Sequence, residues 1–517
     1  MVNTTEFTAT SIAAALRQSA ALRPDKTALI FGDETWTFSR LDELSDTVAV
    51  RLLAAGIHPG ERVALHLPNG PELGLAFLGC CKAGFIAVPV STRLKGREIE
   101  HILRHSGAAG YVGHLEFFPV VAALRQNLPD LWKCFIIGDQ PLGPDELPFK
   151  ELLRPMPGGA TLPDRSPGET AVILYTSGTT AFPKGVMHSH ETLLQIARAV
   201  RGMELDERQI TVMASPMTHM LGLVLVFLGG LLQGATVVLP ARIDAASVLK
   251  AIERHRCTHM FGLPALFHAL AGVQSATPRD VSSGLYFFCG GDSVSPALQA
   301  SFESAFGRSI CEAYGSTEAV PVTYNRTGRA RAGSLGEVAE GVRIRLLDRA
   351  GVEVAPGEAG EVCIQTPTLT TGYWQDPEAT AAAFRDGWFH TGDLARCDAE
   401  SYYWFAGRVK QIIIRGGSNV SPQEVEAALL EHLQVREAAV IGRADPVWGE
   451  IVVAYVARQE GSSLEAAELI QFAGARLAAF KTPEQIIFRD SLPKTATGKM
   501  DRRALREAEM SQATGPA

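Results

Sequence analysis

The segment Thr176-Ser177-Gly178-Thr179-Thr180-Ala181-Phe182-Pro183-Lys184-Gly185 directly follows an apolar run at residues 171–175, AVILY. A loop of this make-up offers backbone N–H groups and hydroxyls that can wrap phosphate oxygens, and Lys184 adds a positive charge. The same residues also suit a surface turn rich in small polar side chains, and composition alone leaves both readings open. It is not a Walker A loop, which would need Gly at 183 and Ser or Thr at 185, where the chain has Pro183 and Gly185. Other residues further along have chemical potential but plain alternatives. Glu318 reads as a metal ligand or a solvated carboxylate, Thr391-Gly392-Asp393 as a sugar contact or a turn, and Lys499 as a catalytic cation or an exposed charge.

Taken in order, the motifs are more specific than any one of them. Pro216-Met217-Thr218-His219-Met220-Leu221-Gly222, Tyr314-Gly315-Ser316-Thr317-Glu318, Gly372-Tyr373-Trp374, Trp388-Phe389-His390-Thr391-Gly392-Asp393, Gly407-Arg408-Val409-Lys410 and Pro493-Lys494-Thr495-Ala496-Thr497-Gly498-Lys499 follow the loop in turn. This series resembles the adenylate-forming superfamily, in its acyl-CoA synthetase branch of fatty- and aryl-acid ligases, from residue 171 to residue 499.

The resemblance implies an ATP-dependent carboxylate–CoA ligase working in two halves. A carboxylate attacks the α-phosphorus of ATP to give acyl-AMP and pyrophosphate, and the thiol of coenzyme A then displaces AMP. ATP, Mg2+ and coenzyme A are the implied small molecules. By the same resemblance, Thr176, Ser177, Gly178, Thr179, Thr180 and Lys184 hold the β- and γ-phosphates. Thr317 donates to the α-phosphate, Glu318 ligates Mg2+, and Tyr314 stacks on adenine. Asp393 and Arg408 take the ribose. Lys499 is the catalytic cation, bridging two anions that water would otherwise have to screen. His219, Met220, Gly290 and Gly315 border the acyl group, Lys410 is the hinge, and Gly416 and Gly417 let the pantetheine arm pass.

Two positions depart from the family pattern. Ala181 stands where glycine is usual, and positive φ there would cost an L-residue about 1–2 kcal/mol. Gln411 stands where an acid is common beside the hinge. After His219 come Met220, Leu221, Gly222, Leu223 and Val224, with no acid for a substrate amine and no arginine for a second carboxylate. An apolar acyl group follows, aryl or medium-to-long aliphatic. The competing readings are a ligase that loads an acyl-carrier protein and, because of Ala181, a non-catalytic acyl-adenylate sensor.

The elements that must hold these residues are those of an α/β protein. Residues 40–55 have helical spacing with Ser39 as N-cap and Gly56 as stop, residues 62–67 read as a strand, and residues 72–83 read as a helix ended by Gly84. Such alternation implies helix-covered parallel sheets. The apolar run 220–232 is too short to span a bilayer and reads as a buried helix before a strand. Beyond Gly407, Ser421-Pro422-Gln423-Glu424 reads as a capping box opening a helix to about Leu433. A helix at 464–480 lies between strands at 451–456 and 485–488. The expected architecture is therefore a large N-terminal domain, 1–409, and a small mobile C-terminal α/β domain, 410–517, with a disordered tail from about Met510.

The chain's 517 residues are 46% hydrophobic, enough for a large core, and 48 basic against 56 acidic residues give a net charge of −8. With no basic run, nucleic acid is not an expected partner. None of the eight cysteines forms a C-x-x-C pair, which removes zinc ribbons and redox motifs from consideration. The opening residues lack a basic-then-apolar signal, so a cytoplasmic enzyme without a membrane span is expected, with a homodimer as one allowed assembly.

Overall fold

The computed structural model of the protein describes residues 9–138, 143, 145–156, 162, 165–176, 183–292, 294–415, 418–445, 447–495 and 500–513. Among them the strands form four sheets. The first runs Gly372–Tyr373, Lys184–Ser189, Thr170–Thr176, Ile86–Pro89, Arg62–His66, Ala108–His114, Lys133–Ile137 and Glu146–Pro148. The second runs Glu337–Val338, Thr323–Tyr324, Cys311–Tyr314, Tyr286–Gly290, His259–Gly262, Ile210–Met213, Thr236–Leu239, Thr27–Phe31 and Glu34–Thr37. Both have parallel centres; the second is antiparallel at both edges, the first only at its Gly372–Tyr373 edge, since Glu146–Pro148 pairs parallel. Central strands such as Thr236–Leu239 are apolar and wholly buried, as strands covered by helices on both faces must be.

A third, antiparallel sheet holds Arg343–Leu347, Gly360–Gln365 and Trp388–Cys397, with Tyr403–Arg408 paired to the last. The fourth belongs to the smaller C-terminal domain, where Ile413–Arg415, Val435–Asp445, Gly449–Arg458 and Gln485–Arg489 surround a core of its own. No helix among the described residues is long and apolar enough to cross a membrane.

Several local expectations change. The second helix is Phe38–Ala54, capped by Thr37, whose side chain accepts from Arg40 N at 3.1 Å; Ser39 lies inside it. The capping box at 421 does not form: Ser421 Oγ donates to Gln423 Oε1 at 3.2 Å, and the helix runs Pro422–Leu430. The later helix is shorter than its apolar pattern, Ala466–Gly474. The tail is ordered further than expected, because the last helix is Arg502–Ala513.

The apolar run after His219 is a helix, but residues Leu221–Leu228 wind with π spacing before Gly229–Leu232 returns to α. Close packing fixes its place. Phe227 lies against the helix Pro71–Ala83 at Gly74, where an added Cβ would sit 2.5 Å from the ring. Gly222 presses on Pro216 O, which a Cβ would approach to 2.3 Å. The widened turn is thereby clamped at both ends, and π turns of this kind recur beside functional sites.

Candidate functional site

Parallel α/β sheets bind ligands beyond the carboxyl ends of their strands. In the second sheet three such ends converge. Ile210–Met213 leads to His219, Tyr286–Gly290 ends in Gly290, and Cys311–Tyr314 leads into Gly315-Ser316-Thr317-Glu318. His219, Met220, Gly290 and Gly315 border one cleft, with Leu225 and Phe261 as apolar wall. Gly315 has no room for a side chain, since a Cβ would meet Val320 Cγ2 at 2.8 Å.

The turn at 315–318 is held from several sides. Ser316 N donates to Ala319 O at 2.9 Å and Glu318 N to Ser316 Oγ at 3.2 Å. His188 Nε2 donates to Thr317 O at 2.7 Å, and burial, which disfavours the imidazolium, pushes this histidine down to about 4. Thr370 N donates to Glu318 O at 2.7 Å, while Tyr373 Oη donates to Glu318 Oε1 at 3.0 Å. The half-buried carboxylate thus faces the cleft with one oxygen tied down.

Asp393 and Arg408, from successive motifs, are register partners across Trp388–Cys397 and Tyr403–Arg408. Arg408 Nε donates to Asp393 Oδ1 at 2.9 Å, and Tyr314 Oη donates to Asp393 Oδ2 at 2.8 Å. Asp393 is only 6% exposed, so these two donors compensate much of its lost hydration. The preceding turn is fixed by Glu361, which accepts from His390 Nδ1 at 3.1 Å and from Gly392 N at 3.2 Å. Gly392 has φ +72°, the left-handed value this turn requires.

Of the phosphate loop, the two ends are described: Thr176 and Lys184 are register partners. Ser177, Gly178, Thr179, Thr180 and Ala181 lie outside the described residues, as do Gly416, Gly417 and Lys499. Lys184 Nζ lies 3.8 Å from Asp376 and 5.0 Å from the centre of the Tyr373 ring. Behind the loop, His101 Nε2 donates to Pro183 O at 3.1 Å, and His105 Nδ1 lies 2.8 Å from Tyr175 Oη. Lys410 belongs to a short 3-10 turn, Val409–Gln411. Gln411 Oε1 accepts from Gln423 Nε2 at 2.9 Å, so the departure from an acid there leaves a neutral hydrogen bond.

Sequence reasoning missed Glu312. It sits mid-strand, buried, accepting from Val294 N at 3.1 Å and Gly333 N at 2.9 Å, and burial pushes its carboxyl up to about 7. Its signal was a lone acid in an otherwise uncharged strand, Cys311-Glu312-Ala313-Tyr314. Tyr314's bond to Asp393 was also unforeseen, because the two are 79 residues apart.

With this geometry in view, comparisons with known proteins are specific. Residues 16–374 match the family described as AMP-binding enzyme, and residues 424–499 match the AMP-binding enzyme C-terminal domain. The chain is similar to a feruloyl-CoA synthase from Amycolatopsis sp, 35% identical over 93% of this chain and 95% of that protein. It is similar to an indoleacetate–CoA ligase from Aromatoleum aromaticum, 34% identical over 94% and 96%. Among solved structures, an anthranilate CoA ligase in complex with anthranoyl-AMP superposes with a TM-score of 0.90 at 32% identity, covering 97% of this chain and 98% of that one.

Proposed function

The chain belongs to the AMP-binding enzyme family, and from that premise we propose that it is an ATP-dependent, AMP-forming acid–CoA ligase acting on an aryl acid. The observation that carries the reading is the meeting of Glu318, Asp393, Arg408 and Lys184 around one cleft that His219, Met220 and Phe261 also line. We place the boundary of the smaller domain at Lys410.

In this reading Asp393 accepts from the ribose hydroxyls while Arg408 keeps its carboxylate oriented. Thr317 donates to the α-phosphate where charge develops, and Lys184 offsets the β- and γ-phosphates with the loop that begins at Thr176. Lys499 draws the substrate carboxylate and the α-phosphate together. The donor set fits Mg2+: Glu318 is a hard oxygen ligand whose Oε2 takes no hydrogen bond from a described residue. Bound there, the ion would neutralise charge on the phosphate oxygens. The aryl preference rests on the apolar wall and on the substrates named for the relatives above. Coenzyme A is the proposed acceptor, reached along Gly416 and Gly417.

A panel of aryl, aliphatic and sulfonated carboxylates with ATP, Mg2+ and either coenzyme A or an acyl-carrier protein tests this. AMP and pyrophosphate release with aryl-CoA formation supports it. Release of ADP, or binding without turnover, overturns it.

A further inference from the structure

Gly372–Tyr373 forms a short edge strand on Lys184–Ser189, with Tyr373 opposite Val186. Its neighbours leave it little freedom. Trp374 N donates to Gly185 O at 2.8 Å, Tyr373 N to Thr380 Oγ1 at 3.0 Å, and Thr370 Oγ1 to Met187 O at 2.6 Å. Gly372 has φ +128°, and a Cβ there would lie 2.9 Å from Thr380 Cγ2, so the backbone conformation is one that glycine alone adopts cheaply.

From this fixed backbone the tyrosine side chain touches two groups that approach the cleft from different segments. Its hydroxyl donates to Glu318 Oε1 at 3.0 Å, and its ring lies under the Lys184 ammonium at 5.0 Å. We propose that Tyr373 is a positioning residue for acyl-AMP formation, one side chain that sets both the Glu318 carboxylate and the Lys184 ammonium relative to each other. The inference rests on the reading of Glu318 as metal ligand and Lys184 as phosphate cation.

The chemistry suits the task. A phenol that spends its proton on Oε1 fixes the carboxylate plane and leaves Oε2 for a cation. A phenol keeps its proton at neutral pH, so Tyr373 is a donor to the carboxylate there. The ring face attracts the ammonium without neutralising it. Asp376, which caps the helix Pro377–Ala383, also lies 3.8 Å from the Lys184 ammonium, a distance at which phosphate oxygens compete readily.

Tyr373→Phe keeps the ring and removes the hydroxyl. Mn2+ titration of the enzyme–ATP complex, read by the paramagnetic resonance of free Mn2+, should show affinity weakened roughly 10-fold, the scale of one hydrogen bond to a charged group. Acyl-AMP formation should slow by a similar factor and recover partly at high Mg2+. Thioester formation from supplied acyl-AMP should be unchanged. Tyr373→Leu, which also removes the ring, should weaken ATP binding measured without metal. Unchanged Mn2+ affinity in Tyr373→Phe, or equal losses in both half-reactions, overturns the proposal. Glu318→Gln separates the two levels. If it leaves Mn2+ affinity intact, the metal reading itself is wrong; if it weakens Mn2+ while Tyr373→Phe does not, only the role of Tyr373 fails.

Discussion

The two walls of the cleft satisfy their charges differently. On the large domain, three acids of the cleft are held by donors that include tyrosine hydroxyls and backbone N–H groups: Asp393 by Tyr314 and Arg408, Glu318 by Tyr373, Glu312 by the backbone at 294 and 333. On the C-terminal domain, Arg502–Glu426, Lys481–Glu424, Arg415–Glu484 and Lys494–Glu437 all close within that domain. Each set ties distant segments within its own domain, residues up to 79 apart in the large one and 57 to 76 apart in the C-terminal one, so each wall is a platform that resists movement of any one segment. The C-terminal ion pairs would therefore survive a turn of that domain, which is what the proposed hinge at Lys410 asks of it.

Acid should separate the two walls most strongly. His66, His188, His190 and His259 are buried in the large domain, and burial holds each near 4 against an ordinary value of 6.5. The unfolded chain therefore binds more protons between these values, so their stabilising contribution is complete above pH 6.5 and is lost as pH falls toward 4. Each costs on the order of 3 kcal/mol by pH 4, and together they compare with a domain's whole stability. Near-ultraviolet circular dichroism and limited proteolysis from pH 7 to 4 should show the large domain unfolding first. Earlier loss of the C-terminal domain would contradict the assignment.

Next in size is Lys499→Ala, expected to slow acyl-AMP formation on the order of 10^3-fold while largely sparing thioester formation from supplied acyl-AMP. A bulky residue at Gly417 should do the reverse. Quench-flow of the separate half-reactions reads both, and equal loss of both halves would remove the reason for a domain that turns.

How much of this was legible beforehand follows the same division. The ordered motifs single out Asp393, Arg408, Thr317 and Glu318 because each motif is a short contiguous string, and the structure brings Asp393 and Arg408 together as strand partners. What joins them was not legible. The Tyr314–Asp393 and Tyr373–Glu318 bonds connect residues 79 and 55 apart, and nothing in linear spacing marks them. Local chemistry misled at two helix starts. Ser39 is a good cap by type, but the strand Glu34–Thr37 runs directly into the helix and gives that place to Thr37. Ser421 found a side-chain acceptor in Gln423 instead of a backbone donor. The π turn at Leu221–Leu228 was unreadable because a uniformly apolar run has no periodicity from which to tell α from π.

Asp393→Asn tests the platform itself. The substitution keeps the shape but takes the negative charge from between Arg408 and Tyr314, and it leaves the guanidinium facing a neutral amide. ATP affinity should fall about 10- to 100-fold by calorimetry, with thermal stability falling less, because half-exposed Arg408 regains water. A loss confined to stability would make Asp393 a structural residue and weaken the ribose assignment.

The smallest effect should come from the seam. Gln411→Ala removes the hydrogen bond from Gln423, a neutral pair worth about 0.5–1.5 kcal/mol, on the C-terminal side of Lys410. Because both glutamines travel with the C-terminal domain, a structural role predicts loss of that domain's stability alone. If the bond instead favours one orientation, the two half-reactions should shift in opposite directions by about 2- to 10-fold with stability unchanged. Restoring an acid, Gln411→Glu, sharpens the distinction. Gln423 can donate to a carboxylate at least as well as to an amide, so a purely local bond survives the change. Any shift in partition then has to come from the new charge acting across the seam, where Arg408 is the near cation of the large domain and Ile412 N already bonds Arg408 O at 3.1 Å. Opposite shifts in Gln411→Ala and Gln411→Glu would make this position the point where the rigid wall and the moving wall are coupled.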